Sequence, residues 1–315
     1  MKKAAVALVV SVLALCLLTV VSCGNGPWTN TGGGVSSETV QSLAYDSVHN
    51  LLYAGTSNGV WKYDGTTWTS TGGRVSSNSI LSLAYDSTHN LLYAGTLNNG
   101  VWKYKGTKWT NTGGGVSSNS ILSLAYDQAH NLLYAGTLNN GVWKYDGTTW
   151  TNISEGLSSY GILSLAYDST HNNLLYAGTA RGVWKYDGTT WTNISEGLSS
   201  YRIPSLAYDS VDNVLYGGVS FYGVVKYDGA TWTSTHGGVK SYEVDSLAYD
   251  SVDNVLYGGG SFYGVVKYYG NTWTNTGGGV LSYRIKFKSL AYDSVHHLLY
   301  AGAVSHGVWK YSGSR

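Results

Sequence analysis

An all-β fold built from seven repeats is predicted by three observations on this 315-residue chain. The first is a motif, "SLAYD", that recurs every 40 to 43 residues, at Ser42, Ser82, Ser123, Ser164, Ser205, Ser246 and Ser289. The second is that each repeat contains four short segments rich in valine, leucine, tyrosine and tryptophan, separated by glycine, asparagine and aspartate turns. The third is composition: 42 glycines, two prolines and 14% aromatic residues favour short strands over long helices.

The four segments of a repeat are "ILSLAYD", "LLYAGT", "GVWKY" and "WTNTG", and each is long enough for one strand. A four-stranded unit of about 40 residues is typical of a β-propeller blade. One such sheet cannot bury both of its faces, whereas blades arranged in a ring cover each other. The sequence therefore predicts a seven-bladed β-propeller.

The ring is predicted to close by pairing the two ends of the chain. The last "GVWKY" segment, at residues 307–311, is not followed by a tryptophan segment, but "PWTNTGGGVSS" stands near the start, at residues 27–37. Each strand type occurs seven times only if this early segment completes the last blade. We therefore expect one propeller domain over residues 28–315, whose tryptophan segments begin at Trp28, Trp68, Trp109, Trp150, Trp191, Trp232 and Trp273.

An export signal is predicted before the propeller. Lys2 and Lys3 precede an apolar run from residue 4 to residue 21, and "VVSC" places small residues directly before Cys23. This arrangement resembles the lipobox of bacterial lipoproteins, which implies cleavage after residue 22 and lipid on the Cys23 thiol. A plain secretory signal and an uncleaved anchor helix are the alternatives. The only other cysteine, Cys16, lies inside the signal, so no disulfide is expected in the mature chain.

Residues 23–27 would then form a short tether to the membrane. Four residues follow Cys23 before the first strand, and they reach roughly 15 Å at about 3.3–3.6 Å per residue. We therefore expect an exported protein of the bacterial cell envelope, lipid-anchored in the outer membrane or at the cell surface. The face with the "DGTT" turns, called the lower face, would lie against the membrane, and the opposite upper face would point away.

Charge and composition exclude some partners. Loss of Lys2 and Lys3 with the signal changes the formal charge from +1 to −1, and no long basic run remains. Nucleic-acid binding is therefore not expected. We expect a monomer without a cofactor, whose partner is a glycan or an envelope protein.

The repeats resemble the blades of Asp-box propellers, found in sialidases and sortilin-like receptors, and also kelch-like blades. The resemblance lies in "SLAYDSTHNLLYAGT" followed by "GVWKYDGTTW", where Asp64, Gly65, Thr67 and Trp68 follow the order of an Asp box with one residue fewer. It covers residues 27–315 and implies a propeller fold. Through the sialidases, it also raises the alternative of a degenerate glycoside hydrolase.

Variation among the seven copies indicates the binding surface. The turns predicted on the lower face change little, whereas the turn after "YAGT" and the link into the next "SLAYD", both on the upper face, vary strongly. Later copies replace asparagine and serine with aromatic residues and arginine, which suit recognition because they supply contact area at low entropic cost. Packing between blades is the alternative role for the aromatic residues. The candidate ligand-binding residues are Tyr160, Arg181, Tyr201, Arg202, Phe221, Tyr222, Tyr242, Phe262, Tyr263, Tyr283 and Arg284.

Repeated histidines on the lower face are interpreted as turn residues. They recur once per blade, so a ring would hold them too far apart to share a metal ion, and we expect no metal site. The copies are His49, His89, His130, His171 and His296, with Asp212 and Asp253 at the same position in two blades. The pairs Asp209/Asp212 and Asp250/Asp253 lack the further oxygens that calcium requires.

Catalysis is not expected. Glycosidases need two carboxylates about 5 to 9.5 Å apart, and Glu243 with Asp245 is the one close pair that does not recur from repeat to repeat. Arg284, Lys286 and Lys288 precede the next "SLAYD", in the neighbouring blade. A surface salt bridge between these basic residues and the two carboxylates is the simpler interpretation, and a polar ligand subsite is the alternative. The favoured function is a non-enzymatic binding module of the cell envelope.

Overall fold

The computed structural model describes residues 26–157, 161–168, 170, 173–235, 244–260, 264–277 and 287–313, without the side chains of residues 287 and 288. Within them, 28 strands form seven antiparallel four-stranded sheets. The seven-bladed propeller predicted from the repeats is confirmed.

Each blade contributes one strand of each of four types. The innermost strands are β2 (Val40–Asp46), β6 (Ile80–Asp86), β10 (Ile121–Asp127), β14 (Ile162–Asp168), β18 (Ser205–Asp209), β22 (Val244–Asp250) and β26 (Phe287–Asp293). The second strands are β3 (Leu51–Thr56), β7 (Leu91–Thr96), β11 (Leu132–Thr137), β15 (Leu174–Thr179), β19 (Val214–Val219), β23 (Val255–Gly260) and β27 (Leu298–Ala303). The third strands are β4 (Gly59–Tyr63), β8 (Val101–Lys105), β12 (Val142–Tyr145), β16 (Gly182–Tyr186), β20 (Gly223–Tyr227), β24 (Gly264–Tyr269) and β28 (Val308–Tyr311). The outer strands are β1 (Trp28–Asn30), β5 (Trp68–Ser70), β9 (Lys108–Asn111), β13 (Trp150–Asn152), β17 (Trp191–Asn193), β21 (Trp232–Ser234) and β25 (Thr272–Asn275).

Blades 1 to 6 are the consecutive groups of four strands from β2–β5 to β22–β25, and blade 7 combines β26–β28 with β1. The innermost strands of neighbouring blades pack against one another around the whole ring, including β26 against β2. Because successive strands are antiparallel, the turns after the first and third strands lie on the lower face. The turn after the second strand and the link to the next blade lie on the upper face. Short 3₁₀ helices occur in three of these links, at Gly33–Val35, Gly73–Val75 and Gly114–Val116.

Blade 7 is completed by the strand from the start of the chain, as predicted. Trp28 pairs with Tyr311 and Asn30 with Trp309 in an antiparallel register. The backbone N–H of Ser312 also donates to the Pro27 carbonyl at 2.9 Å. The ring is therefore closed by hydrogen bonds between two segments that are distant in sequence.

The hydrophobic core is divided among the interfaces between blades, with one cluster of buried residues at each of the seven interfaces. The second-strand leucine Leu52 and its equivalents in the other blades are each about 1% exposed. Glycine follows in the "YAGT" segment because the next blade approaches closely. A Cβ on Gly55 would lie 2.6 Å from Cγ2 of Ile80 in blade 2.

Aromatic side chains join each blade to the one before it. The indole N–H of Trp68 donates to Thr31 Oγ1 of the preceding blade link at 3.0 Å, and Trp28 makes the same bond to Thr276 at 3.0 Å. Tyrosines of the innermost strands stack on second-strand tyrosines of the preceding blade, with ring centroids 5.8 to 6.4 Å apart in six pairs. These contacts bury phenol rings at the interfaces throughout the ring.

Candidate functional site

Five of the eleven predicted ligand-binding residues lie in the part of the chain that the structure describes. They are Arg181, Tyr201, Arg202, Phe221 and Tyr222. The structure places all five on the upper face where blades 4 and 5 meet, and we call this set the blade 4–5 patch. Seven other candidates lie outside the described residues: Tyr160, Tyr242, Phe262, Tyr263, Tyr283 and Arg284 of the upper face, and Cys23 of the lipidation site.

Three loops bring the patch together. Arg181 stands in the β15–β16 turn, Phe221 and Tyr222 in the β19–β20 turn, and the link between β17 and β18 runs between them. This link is held on both sides by backbone hydrogen bonds: Gly182 N–H donates to the Tyr201 carbonyl at 2.9 Å, and Ser220 N–H donates to the Arg202 carbonyl at 3.0 Å. The three loops of the patch are therefore joined to one another by backbone hydrogen bonds.

Tyr201 and Tyr222 form the centre of the patch. Their ring centroids are 5.4 Å apart with an interplanar angle of 51°. Tyr201 is half-buried against the core cluster between blades 4 and 5, whereas Tyr222 is 43% exposed. Tyr201 therefore has a packing role, and Tyr222 extends the same aromatic surface towards solvent.

Phe221 is the residue that the fold explains least. Its side chain is 76% exposed, so the ring gains little from burial. Its backbone has φ +62°, a conformation that costs a bulky L-residue about 1–2 kcal/mol. Most of the other described non-glycine residues with positive φ are asparagines, which adopt it more readily. The fold gains little from this exposed ring and yet holds it on an unfavourable backbone conformation. This combination indicates that Phe221 serves binding rather than stability.

The equivalent turns in the early blades are closed by asparagine instead. Asn58 donates to the Glu38 carboxylate at 3.0 Å in blade 1, and Asn99 donates to Asn78 Oδ1 at 2.9 Å in blade 2. These side chains tie the upper turn to the neighbouring link. In blade 5, exposed aromatic rings replace this internal bonding, which makes the blade 4–5 patch chemically different from the rest of the described upper face.

Arg181 and Arg202 give the patch two positive charges, and both residues are exposed. The Arg181 backbone N–H donates to Thr179 Oγ1 at 3.0 Å, which sets the direction of the turn. Aromatic rings beside guanidinium groups can contact both apolar and anionic parts of a ligand.

The lower face contains features that sequence reasoning treated only as turns. Four of its repeated histidines, His49, His89, His130 and His296, contact the aspartate three residues earlier, as in His89 Nδ1 to Asp86 Oδ2 at 2.8 Å. His171 lies outside the described residues. Cavities also lie between blades at this face, with volumes of about 470 Å³ (blades 6 and 7), 350 Å³ (blades 5 and 6), 260 Å³ (blades 7 and 1) and 140 Å³ (blades 1 and 2). None of the four is lined by a residue of the blade 4–5 patch. Within the described ranges, no group of three or more histidine, cysteine, aspartate or glutamate residues is placed to hold a metal ion.

The glycoside hydrolase alternative depends on the distance between the Glu243 and Asp245 carboxyl groups, which the described residues do not give. Asp245 stands in β22, but Glu243, Arg284 and Lys286 lie outside the described residues, as does the side chain of Lys288.

In the part of the chain that the structure covers, which excludes residues 1–25, no helix is long and apolar enough to cross a membrane.

Comparison with known proteins finds similarity in structure alone. No family model matches the sequence, and no curated protein matches it. The extracellular domain of BT4673 from B. thetaiotaomicron, assigned to the one-component systems, matches 90% of this chain with a TM-score of 0.75 and 19% sequence identity. The extracellular domain of BT3049 from the same organism, assigned to the hybrid two-component systems, matches 89% with a TM-score of 0.71 and 17% identity.

These likenesses concern the fold. The chain spans 39% of the BT4673 structure and 40% of the BT3049 structure. A chain of the mitotic checkpoint complex is matched over 95% of its length, with a TM-score of 0.71 at 13% identity. Similar propellers thus occur in extracellular sensor domains and in an unrelated assembly, so function has to be argued from the surface of this chain.

Proposed function

We propose that this protein is a non-enzymatic binding module of the bacterial cell envelope, which acts as a monomer and recognises a glycan or a protein through its upper face. The observation that carries the proposal is Phe221, an exposed ring held on a left-handed backbone next to Tyr222. Arg181 and Arg202 stand in the neighbouring loops of the same face. The extracellular propeller domains of sensor proteins support it, because they show the same fold in a binding or sensing setting.

The binding test compares the patch with equivalent turns of other blades. In a screen of glycans and envelope proteins against the chain without residues 1–23, we expect a ligand whose affinity falls at least about tenfold in the double variant Phe221→Ala/Tyr222→Ala. A tenfold loss corresponds to about 1.4 kcal/mol, and aromatic side chains that become buried at the centre of an interface are among the residues that cost about 2 kcal/mol or more when truncated. The control is Leu97→Ala/Leu138→Ala, because each leucine is 44% exposed on the corresponding turn of blade 2 or 3.

A second variant separates binding from folding. Phe221→Asn should raise the free energy of unfolding by about 1 kcal/mol, because asparagine tolerates positive φ. The same substitution should lower the affinity for the ligand, because it removes the exposed ring. Undiminished binding in the patch variants, or loss of binding in the leucine control, would contradict the proposal. Glycan hydrolysis that disappears in Glu243→Gln/Asp245→Asn would instead favour the glycoside hydrolase.

Attachment to the envelope is proposed to occur through lipid on Cys23. The proposal depends on the apolar run and the small residues before Cys23, and the lower rim would then lie against the membrane. Cells supplied with radioactive palmitate should label the wild-type protein and leave Cys23→Ala unlabelled, with the variant released from the membrane fraction. Equal labelling of the two proteins would exclude a lipoprotein.

A further inference from the structure

The largest of the four lower-face cavities that the described residues line is the one between blades 6 and 7, with a volume of about 470 Å³. This volume is within the range of small-molecule sites. The lining residues that bear polar groups and matter most here are Asp253, Tyr257 and Lys267 of blade 6 and Tyr292, His297 and Tyr311 of blade 7. None of them belongs to the blade 4–5 patch, so this cavity is a separate candidate site.

The way in which the ring closes explains why this cavity is large. In blades 1 to 6, a hairpin joins the third strand to the outer strand, and its turn lies on the lower face. This turn forms part of the wall of each of the other three cavities, through Gly65, Gly106 and Gly270. In blade 7, β28 and β1 come from opposite parts of the sequence, so no such hairpin joins them.

The same interruption removes the acceptor of one phenol. In blades 1, 3, 4 and 5, the hydroxyl of the third-strand tyrosine donates to the carbonyl of the hairpin glycine at 2.7 to 2.8 Å, as from Tyr63 to Gly65. Tyr268 of blade 6 donates to Asn271 Oδ1 of its own hairpin at 3.1 Å. Tyr311 is the equivalent residue of blade 7, and its hydroxyl has no hydrogen-bond partner among the described residues.

The Tyr311 hydroxyl is nevertheless within reach of a ligand. The residue as a whole is only 7% exposed, but its oxygen is not fully covered, and Tyr311 lines the cavity. Among the described third-strand tyrosines, Tyr104 of blade 2 also lacks a partner. There, however, the intact hairpin lines a cavity of only about 140 Å³. A free phenol beside a roomy cavity therefore occurs in blade 7.

Two further donors lie beside Tyr311. Tyr257 and Lys267 are register partners on β23 and β24, so their side chains are neighbours on one face of blade 6, with Cβ atoms about 4.5–5.5 Å apart. The rings of Tyr257 and Tyr311 lie 6.5 Å apart, edge to face. Neither the Tyr257 hydroxyl nor the Lys267 ammonium group has a hydrogen-bond or ion-pair partner among the described residues. Three donors thus line one cavity without an acceptor from the protein.

Both phenols keep their protons at neutral pH. Burial, and then the charge of Asp250, raise the pKa of Tyr257, and burial raises the pKa of Tyr311. Each hydroxyl is therefore able to donate to a negatively charged group.

The carboxylate of the lining already has a partner. Asp253 Oδ2 lies 3.9 Å from His297 Nδ1 of the neighbouring blade, and the Tyr292 hydroxyl lies 3.3 Å from the same nitrogen. Lys267 has no such partner, so one negative charge from a ligand would balance it. A second negative charge would be repelled by Asp253.

The rest of the wall is suited to an organic ring. Tyr269 presents an aromatic side chain that is 62% exposed, and Val255 and Leu299 add apolar surface that is buried to 8% and 1% exposure. Aromatic rings pack on such surfaces in offset or edge-to-face arrangements.

We propose that the cavity between blades 6 and 7 binds a small aromatic monocarboxylate. The carboxylate oxygens accept from the Lys267 ammonium group and from the hydroxyls of Tyr257 and Tyr311, which are charge-assisted hydrogen bonds. The ring of the ligand packs against Tyr269 and Tyr292. A phosphate dianion fits less well, because one lysine supplies the unpaired positive charge and Asp253 stands in the same wall.

The cavity between blades 7 and 1 provides an internal comparison. It is lined by the equivalent three residues, Tyr300, Lys310 and Tyr63, but its volume is about 260 Å³. There the hydroxyl of Tyr63 is bonded to Gly65, and the carboxylate of Asp64 lies in the wall with the lysine. The carboxylate ligand is therefore assigned to the cavity between blades 6 and 7.

The experiment measures binding of benzoate and phenylacetate to the full chain by calorimetry at neutral pH. Benzamide and phenylacetamide are the neutral analogues, acetate is the carboxylate without a ring, and inorganic phosphate is the competing anion. We expect at least one aromatic carboxylate to bind at least about tenfold more tightly than its amide and than acetate, because Lys267 pairs with the charge and the tyrosines pack against the ring.

Lys267→Gln should weaken this binding at least about tenfold. Its matched control is Lys226→Gln, because Lys226 is the half-buried equivalent in blade 5, pairs with Tyr216 in the register and does not line this cavity. The control should bind like the wild type.

Tyr311→Phe should weaken binding at least about threefold and leave the melting temperature unchanged, because its hydroxyl has no partner within the described residues. Tyr227→Phe is the control: it should lower the melting temperature, because the Tyr227 hydroxyl donates to the Gly229 carbonyl at 2.8 Å, and leave binding intact.

The proposal would be overturned if neither carboxylate bound better than its amide, or if Lys267→Gln bound with wild-type affinity. Equal losses in Lys267→Gln and Lys226→Gln would also exclude this cavity as the site. Displacement of the carboxylates by phosphate at equal affinity would show a general anion site and contradict the assigned ligand.

Discussion

Trp28→Ala is expected to lower the free energy of unfolding by about 3–5 kcal/mol, the usual range for removing a buried tryptophan. Trp28 is 4% exposed, its indole donates to Thr276, and its ring lies 5.0 Å from Tyr311. Because β1 is connected in sequence to blade 1 and contacts blade 7 only through noncovalent interactions, the substitution also weakens closure of the ring. Urea unfolding followed by tryptophan fluorescence measures the change.

Trp68→Ala is the matched control. Trp68 is 8% exposed, donates to Thr31 at 3.0 Å and stacks on Tyr63 at 4.9 Å, so its local contacts are nearly the same. Its strand, however, is joined to the rest of blade 1 by a continuous hairpin. We therefore expect Trp28→Ala to be the more destabilising of the two. Equal losses would show that closure by β1 adds nothing beyond the contacts of one tryptophan.

Unfolding at alkaline pH is the second large effect that we expect. Twenty-one tyrosines among the described residues have raised pKa values, and burial is the first cause in each. Burial, followed by the charge of a nearby aspartate, raises the pKa of Tyr134, Tyr176 and Tyr300 to about 12.

The sign of the effect follows from proton binding. Tyrosines of the unfolded chain ionise near pH 10, whereas those of the folded ring keep their protons to higher pH. Their contribution to stability is complete below pH about 10 and is lost as the pH rises towards about 12. Because all of these groups act in the same direction, we expect cooperative loss of the fold in this window, observable by circular dichroism.

The triple variant Tyr134→Phe/Tyr176→Phe/Tyr300→Phe should move the alkaline midpoint to higher pH and leave the neutral stability nearly unchanged. These phenols stack against tyrosines of the neighbouring blades, and phenylalanine retains that packing without an ionisable hydroxyl. Tyr269→Phe is the control, since Tyr269 is 62% exposed. A midpoint that does not move in the triple variant would show that other groups cause the transition.

The sequence by itself determined the architecture. A period of about 41 residues, four strand segments per period and a tryptophan segment displaced to the start of the chain were enough to predict seven blades and their closure. This was possible because each blade contacts only its neighbours, so the same local pattern has to satisfy the same packing seven times. Variation among the copies also indicated Phe221 and Tyr222 as surface residues of interest.

The tertiary structure alone decided what surrounds each of these residues. It showed that Tyr201 is half-buried whereas Phe221 is exposed on a left-handed backbone, a distinction that residue type does not make. It also changed the meaning of Asp212. In the sequence this residue is one more variation of a turn, but in the ring it leaves Asp209, which is 0% exposed, without the imidazole donor that a histidine supplies in blades 1, 2, 3 and 7. Burial and bonding at a blade interface depend on two segments about 40 residues apart in sequence, and therefore only the folded ring reveals them.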